Sequence, residues 1–198
     1  MTARTGLVDI IGELRTLTEA GTADYTIGTA TAYWTDDNLQ DILDRHAYET
    51  DNAPMLMVPT RKAGGYSYTD YYIGRSWIEQ EAAGTSIFKI TDNTGATIGT
   101  ALYTVDYNVG EVSFVTDQGA AVAYMVTCVS YDINAAAAEV WRKKAAHYAS
   151  AYDFSTDNHY MKRSQLMLQA QQMVNYYLGL SNEGASNIPL ERADDTSW

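Results

Sequence analysis

Residues 135–180 read AAAAEVWRKKAAHYASAYDFSTDNHYMKRSQLMLQAQQMVNYYLGL. An alanine-rich start of high helix propensity predicts one helix. Trp141, Ala145, Tyr148 and Tyr152 make its apolar stripe, and Asn134 is placed to cap it. The polar stretch 153–157 reads as a link. A second long helix follows, with Leu166, Ala170, Met173, Val174 and Tyr177 on one stripe and Gly179 at its end.

Upstream, residues 6–19 carry Leu7, Ile10, Ile11, Leu14 and Leu17 at helical spacing. Gly21 stands where a glycine past a helix end belongs. Thr35 is a good N-cap for a short helix, with Asp36 and Asp37 in its first turn and Leu39, Ile42 and Leu43 on its apolar face. That helix is expected to end near residues 47–48.

Beyond Pro54 and Pro59 the period changes to two. Residues 66–73, 87–90, 98–105, 111–115 and 121–131 read as strands. Asp92-Asn93-Thr94-Gly95, Asn108-Val109-Gly110 and Asp117-Gln118-Gly119 supply turns between them. The expected fold is α+β: a small bundle of four main helices with an inserted antiparallel β-meander and an extended C-terminal arm. The bundle takes residues 1–52 and 134–180, the Tyr-rich insert 53–133, and the arm 181–198. The arm is polar and does not fold alone; it is flexible or bound to a partner.

Bulk properties narrow the function. The chain has 198 residues, a net charge of −12 and 16 tyrosines. Nucleic-acid binding needs a basic face, so this acidity argues against it. An acidic wall suits a passage that DNA must cross without sticking. Residues 134–180 are the one net-basic part. The tyrosine excess fits either subunit contacts or a β-rich core with tyrosines on its rim. The one cysteine, Cys128, excludes an internal disulfide and reads as a buried thiol in a strand. No apolar run resembles a signal peptide or a membrane anchor, so a soluble protein made in a reducing cytoplasm is expected.

Chemistry is sparsely signalled. His46, His147 and His159 lack a second ligand at helical spacing. Asp36, Asp37, Asp41 and Asp44 read as a cap and a solvated face, not a calcium loop. Glu79, Glu81 and Glu111 offer carboxylates without the spacing of a glycosidase pair. No nucleophile elbow, phosphate loop or dinucleotide fingerprint is present. No enzyme activity, cofactor or metal is expected. The basic runs Arg142-Lys143-Lys144 and Lys162-Arg163 read as solvated helix faces or as contacts with an acidic partner.

Three features together resemble the head–tail connector (adaptor) family of tailed bacteriophages. One is the helix beginning Trp34-Thr35-Asp36-Asp37-x-Leu39-x-x-Ile42-Leu43. Another is the hairpin-like piece from Tyr103 through Tyr107 and Gly110 to Phe114. The third is the terminal helix pair with Asp153-Phe154-Ser155 and Lys162-Arg163-Ser164-Gln165. The resemblance implies a structural virion protein, assembled in the host cytoplasm, that forms a ring, usually dodecameric, beneath the portal protein. It implies identical neighbours and a stopper, tail or nozzle protein as partners, with genomic DNA passing through the channel unbound. Leu190, Arg192, Trp198, Lys162, Arg163 and Tyr177 would then face the portal or a neighbour. The insert would offer Tyr66, Tyr68, Tyr71, Tyr72 and Trp77 as a second interface. The alternative is a carbohydrate- or receptor-binding module in which those aromatics stack on sugar rings.

Overall fold

A computed structural model describes residues 3–21, 26–27, 31–81, 87–119, 122–149, 154–156, 159–161 and 163–181, with backbone alone at 26–27, 31–32, 154–156, 159–161 and 163–164. Four α-helices are present among them: α1 (Val8–Thr18), α2 (Asp36–Arg45), α3 (Ile133–Ala149) and α4 (Arg163–Leu180).

Helix α1 buries Ile10, Ile11 and Leu14, as their spacing predicts, with Leu7 just ahead of it. Its left-handed end residue is Glu19 (φ 53°), not Gly21. That end is held from outside: Arg15 donates to the carbonyls of Ala20 and Trp34, and Lys144 Nζ donates to that of Glu19 at 3.0 Å. Thr35 caps α2, its hydroxyl accepting from the Asn38 amide. Asp132, not Asn134, caps α3: Asp132 Oδ1 accepts from the amides of Asn134 and Ala135.

The expected bundle with an inserted meander is overturned by the sheets. Seven strands form two antiparallel sheets. One has the order β3 (Ala47–Pro54), β9 (Tyr124–Tyr131), β6 (Lys89–Asp92). The other runs β4 (Leu56–Lys62), β5 (Gly65–Tyr72), β8 (Glu111–Phe114), β7 (Tyr103–Asp106). Two short ribbons stand apart, β1 (Thr26–Ile27) with β2 (Thr31–Ala32), and β10 (Phe154–Thr156) with β11 (His159–Met161). The stretch read as a polar link, 153–157, therefore includes strand β10.

Strand β3 begins two residues after α2 ends and lies beside β9, which runs through Asp132 into α3. Helices and sheet thus share residues. Tyr131 sits in the helical core, with Ala47 and Val129 packed against it. The sheets' inner faces meet in a second core of aromatic rings: Tyr71, Phe88, Tyr103, Phe114 and Tyr124. Phe114 stacks on Tyr124 at 4.5 Å, and Tyr71 meets both edge-on at 5.3 Å. Such edge and offset geometries suit the ring quadrupole. The expected C-terminal arm, beyond Ser181, lies outside the described residues.

Residues 77–80 join the cores. Ile78 bridges to Ser130, the Glu79 amide donates to the Val129 carbonyl, and the Gln80 amide donates to that of Gly6. Gly6 is required by this approach, since a Cβ there would lie 2.3 Å from the Gln80 oxygen.

Candidate interaction surface on the last two helices

Helices α3 and α4 form an antiparallel pair. Ser181 donates to Asp132 Oδ2 at 3.0 Å and Asn134 to the Leu180 carbonyl at 3.4 Å, so the end of α4 is tied to the start of α3. Among its described side chains α4 buries Ala170 and Tyr177, and the Tyr177 hydroxyl donates to the Leu17 carbonyl on α1 at 2.9 Å. Met173 and Val174 pack against the core at its edge.

The rest of α4 is unusual for an outer helix. Leu168 is 54 % exposed, Tyr176 58 % and Leu180 51 %, and Leu166 and Leu178 are also exposed. From Ser164 to Ser181 there is no charged residue at all. Outer helices ordinarily show a charged face opposite an apolar stripe. Glutamine, asparagine, leucine, methionine and tyrosine surround α4 instead, with the charge depletion and the Tyr and Met typical of an interface centre.

Between the two helices lies an open groove of about 430 Å³. Ala145, Ala146 and Ala149 line it from α3, and Met167, Gln171 and Val174 from α4. The alanines leave the floor low. Arg142, exposed, and Asn175 complete its walls.

Of the residues expected to face a portal or a neighbour, Tyr177 is buried within the subunit. Lys162, Leu190, Arg192 and Trp198 lie outside the described residues, as does the side chain of Arg163, which opens α4. The residues of α4 that expose apolar surface are Leu166, which is on the expected stripe, and Leu168, Tyr176, Leu178 and Leu180, which are not. Their signal was the absence of charge from residues 164–180.

The five aromatics of the second expected interface are dispersed. Tyr71 is buried and its hydroxyl donates to the Val122 carbonyl. Trp77 is half-buried against the helical core. Tyr66 and Tyr72 are exposed, and Tyr68 is half-buried. Tyr66 and Tyr72 stand six positions apart on one strand, roughly 20 Å.

The ionisable groups are largely engaged inside the fold. Arg4 makes a bidentate pair with Asp44 (2.5 and 3.1 Å) and reaches Glu79 at 2.9 Å. The Asp44 hydrogen bond is the largest cause of its raised pKa, burial opposing it. Glu79 is buried and also accepts from the Tyr131 hydroxyl. Burial and that bond hold the Tyr131 hydroxyl well above the ordinary phenol range. Asp36 pairs with Arg15 at 2.7 Å. Lys144, read as part of a solvated basic run, is buried. Asp92 and Asp117 close turns: Asp92 accepts from Thr94 and the Ala96 amide, Asp117 from the amides of Gly119 and Tyr68. Cys128 is buried, and burial pushes its thiol pKa up. No group of three potential metal ligands occurs among the described residues.

The chain matches no known family model and no curated protein. Its surface chemistry therefore carries the functional reading.

Proposed function

We propose that this chain is a structural subunit of a tailed-phage head–tail connector. Copies form a ring beneath the portal protein, extend the DNA channel and seat the stopper or tail. The observation that carries this reading is α4, an outer helix of eighteen residues with no charge beyond Arg163 and apolar side chains pointing away from the core. Such a surface is stable in a larger assembly and poorly suited to bulk water.

The magnitudes favour assembly on a collar over a tight free oligomer. Full burial of one large apolar side chain is worth about 1.5–3 kcal/mol. Leu168, Tyr176, Leu178 and Leu180 are each already part-covered, so together they contribute about 4 kcal/mol at that rate. Association costs roughly 4–15 kcal/mol in lost freedom. One such contact holds weakly, and many around a ring on a common partner hold well. The overall charge of −12 suits a channel wall that repels DNA. The engaged carboxylates and buried thiol fit a role without chemistry.

The test is co-expression with the cognate portal protein and imaging of the purified complex. The reading expects an added ring of density on one end of the portal. Portal particles that never acquire this chain would refute it.

A further inference from the structure

Three exposed apolar residues near the end of α4, Tyr176, Leu178 and Leu180, fall on two flanks. Tyr176 and Leu180 are four positions apart and share one flank. Leu178, between them, is rotated about 160° from each, at 100° per residue. Leu178 shares its flank with Gln171 and Val174, which line the α3–α4 groove. One flank is therefore a ridge and the other borders a groove.

The two flanks also differ in charge. Beside the ridge lies the end of α1, whose Leu17 carbonyl accepts from the Tyr177 hydroxyl; Glu13 is on α1 and Glu19 just past its end. Burial, then Tyr176, then these two carboxylates raise the pKa of neighbouring Tyr177. The groove wall carries Arg142, exposed and cationic.

A two-fold dimer buries one self-complementary patch, and flanks about 160° apart around α4 do not share such a patch. A head-to-tail contact covers both at once, and repetition closes a ring if the rotation permits. The geometry points to such a contact with a second copy of this chain. The Tyr176–Leu180 ridge of one copy seats in the Ala145–Ala146–Ala149 groove of the next, and Glu13 and Glu19 face Arg142. Tyr176 is a fitting anchor, because rigid aromatic side chains in small-residue pockets dominate interface energies. The inference rests on the connector reading and assigns its subunit contact.

Single-cysteine variants Ala146→Cys and Gln172→Cys, the second at an exposed position one turn before Tyr176 that leaves this anchor in place, test it with a short bismaleimide at several hundred micromolar protein. Cys128, being buried, leaves the unaltered chain as the blank. Each variant alone is expected to stay monomeric. Their mixture is expected to give a cross-linked dimer, and the double variant a ladder of higher species. In the Arg142→Glu background the yield is expected to fall several-fold, and adding Glu19→Lys to restore it. Homodimers from either single variant, or a double variant that stops at the dimer, would show a two-fold contact and overturn the proposal, as would no cross-link in the mixture. Imaging the same variants on portal separates the two ideas. A ring that forms without the cross-link defeats this contact alone, whereas failure of both defeats the connector reading as well.

Discussion

Tyr131 donates its hydroxyl to Glu79 at 2.5 Å in the buried seam between the helical core and the first sheet. Glu79 is also held by Arg4, which in turn grips Asp44 on α2. Four separate pieces of the chain meet in one network centred on Arg4 and Glu79.

Tyr131→Phe removes two charge-assisted bonds, the one donated to Glu79 and the one accepted from Arg4 at 2.9 Å, and is expected to cost about 3 kcal/mol. Arg4→Leu leaves Glu79 buried without its cation and is expected to cost about 3–4 kcal/mol, the low end of the range for a broken buried pair because Arg4 is partly exposed. Urea unfolding of both variants measures the order. An Arg4 variant as stable as the unaltered chain would show that the network is dispensable.

Gly110 has φ +79°, and a Cβ there would lie 1.8 Å from the Arg75 carbonyl oxygen. Gly110→Ala is expected to lower stability by at least about 2 kcal/mol, combining backbone strain and the clash. Gly64 has open space around it, so Gly64→Ala is expected to change little. Thermal unfolding of the pair provides the comparison.

Glu139 links α3 to the end of α2, accepting from Arg45 and lying 3.1 Å from His46. Burial pushes its pKa up, but the Arg45, His46 and Lys143 contacts prevail and hold it below the ordinary glutamate value. A depressed carboxyl stabilises the fold above its unfolded pKa, and that contribution disappears as pH falls through the folded value. Glu139→Gln is therefore expected to be less stable at neutral pH by about 1 kcal/mol or less, since Arg45 is half exposed. The gap should close in acid. Melting curves between pH 7 and pH 3 follow it, and a gap that widened in acid would reverse the sign.

Tyr71→Ala opens a cavity among Phe114, Tyr124 and their neighbours and is expected to cost about 3–5 kcal/mol. Tyr72→Ala, on the exposed face of the same strand, is expected to stay within about 0.5 kcal/mol. Chemical denaturation distinguishes them. Glycan binding lost on Tyr72→Ala without unfolding would support the sugar-binding alternative against the connector.

The helices were legible because their apolar residues recur at helical spacing. Leu7, Ile10, Ile11 and Leu14 are buried as read, and Thr35 caps α2. The sheets were half legible. Strand β9 alternates cleanly, whereas β3 (Ala47–Pro54) is mostly polar, with a left-handed Asn52 at its bulge, and carries little strand signal. Its pairing with β9, over seventy residues away, comes from tertiary contacts that local pattern does not encode. For the same reason Tyr71 and Tyr72 look alike in sequence and face opposite sides. On α4, stripe counting picked out Tyr177, which is buried, and passed over the uncharged outer faces.

The central claim is that the outward side of α4 joins this chain to other copies on the portal. The most direct measurement is the mass of the complex co-purified with portal, for the unaltered chain and for the Tyr176→Glu/Leu180→Glu variant. The account predicts a mass increment of many copies for the first and little or none for the second, with both chains folded by circular dichroism. Equal increments for the two, or no increment for the unaltered chain, would contradict it.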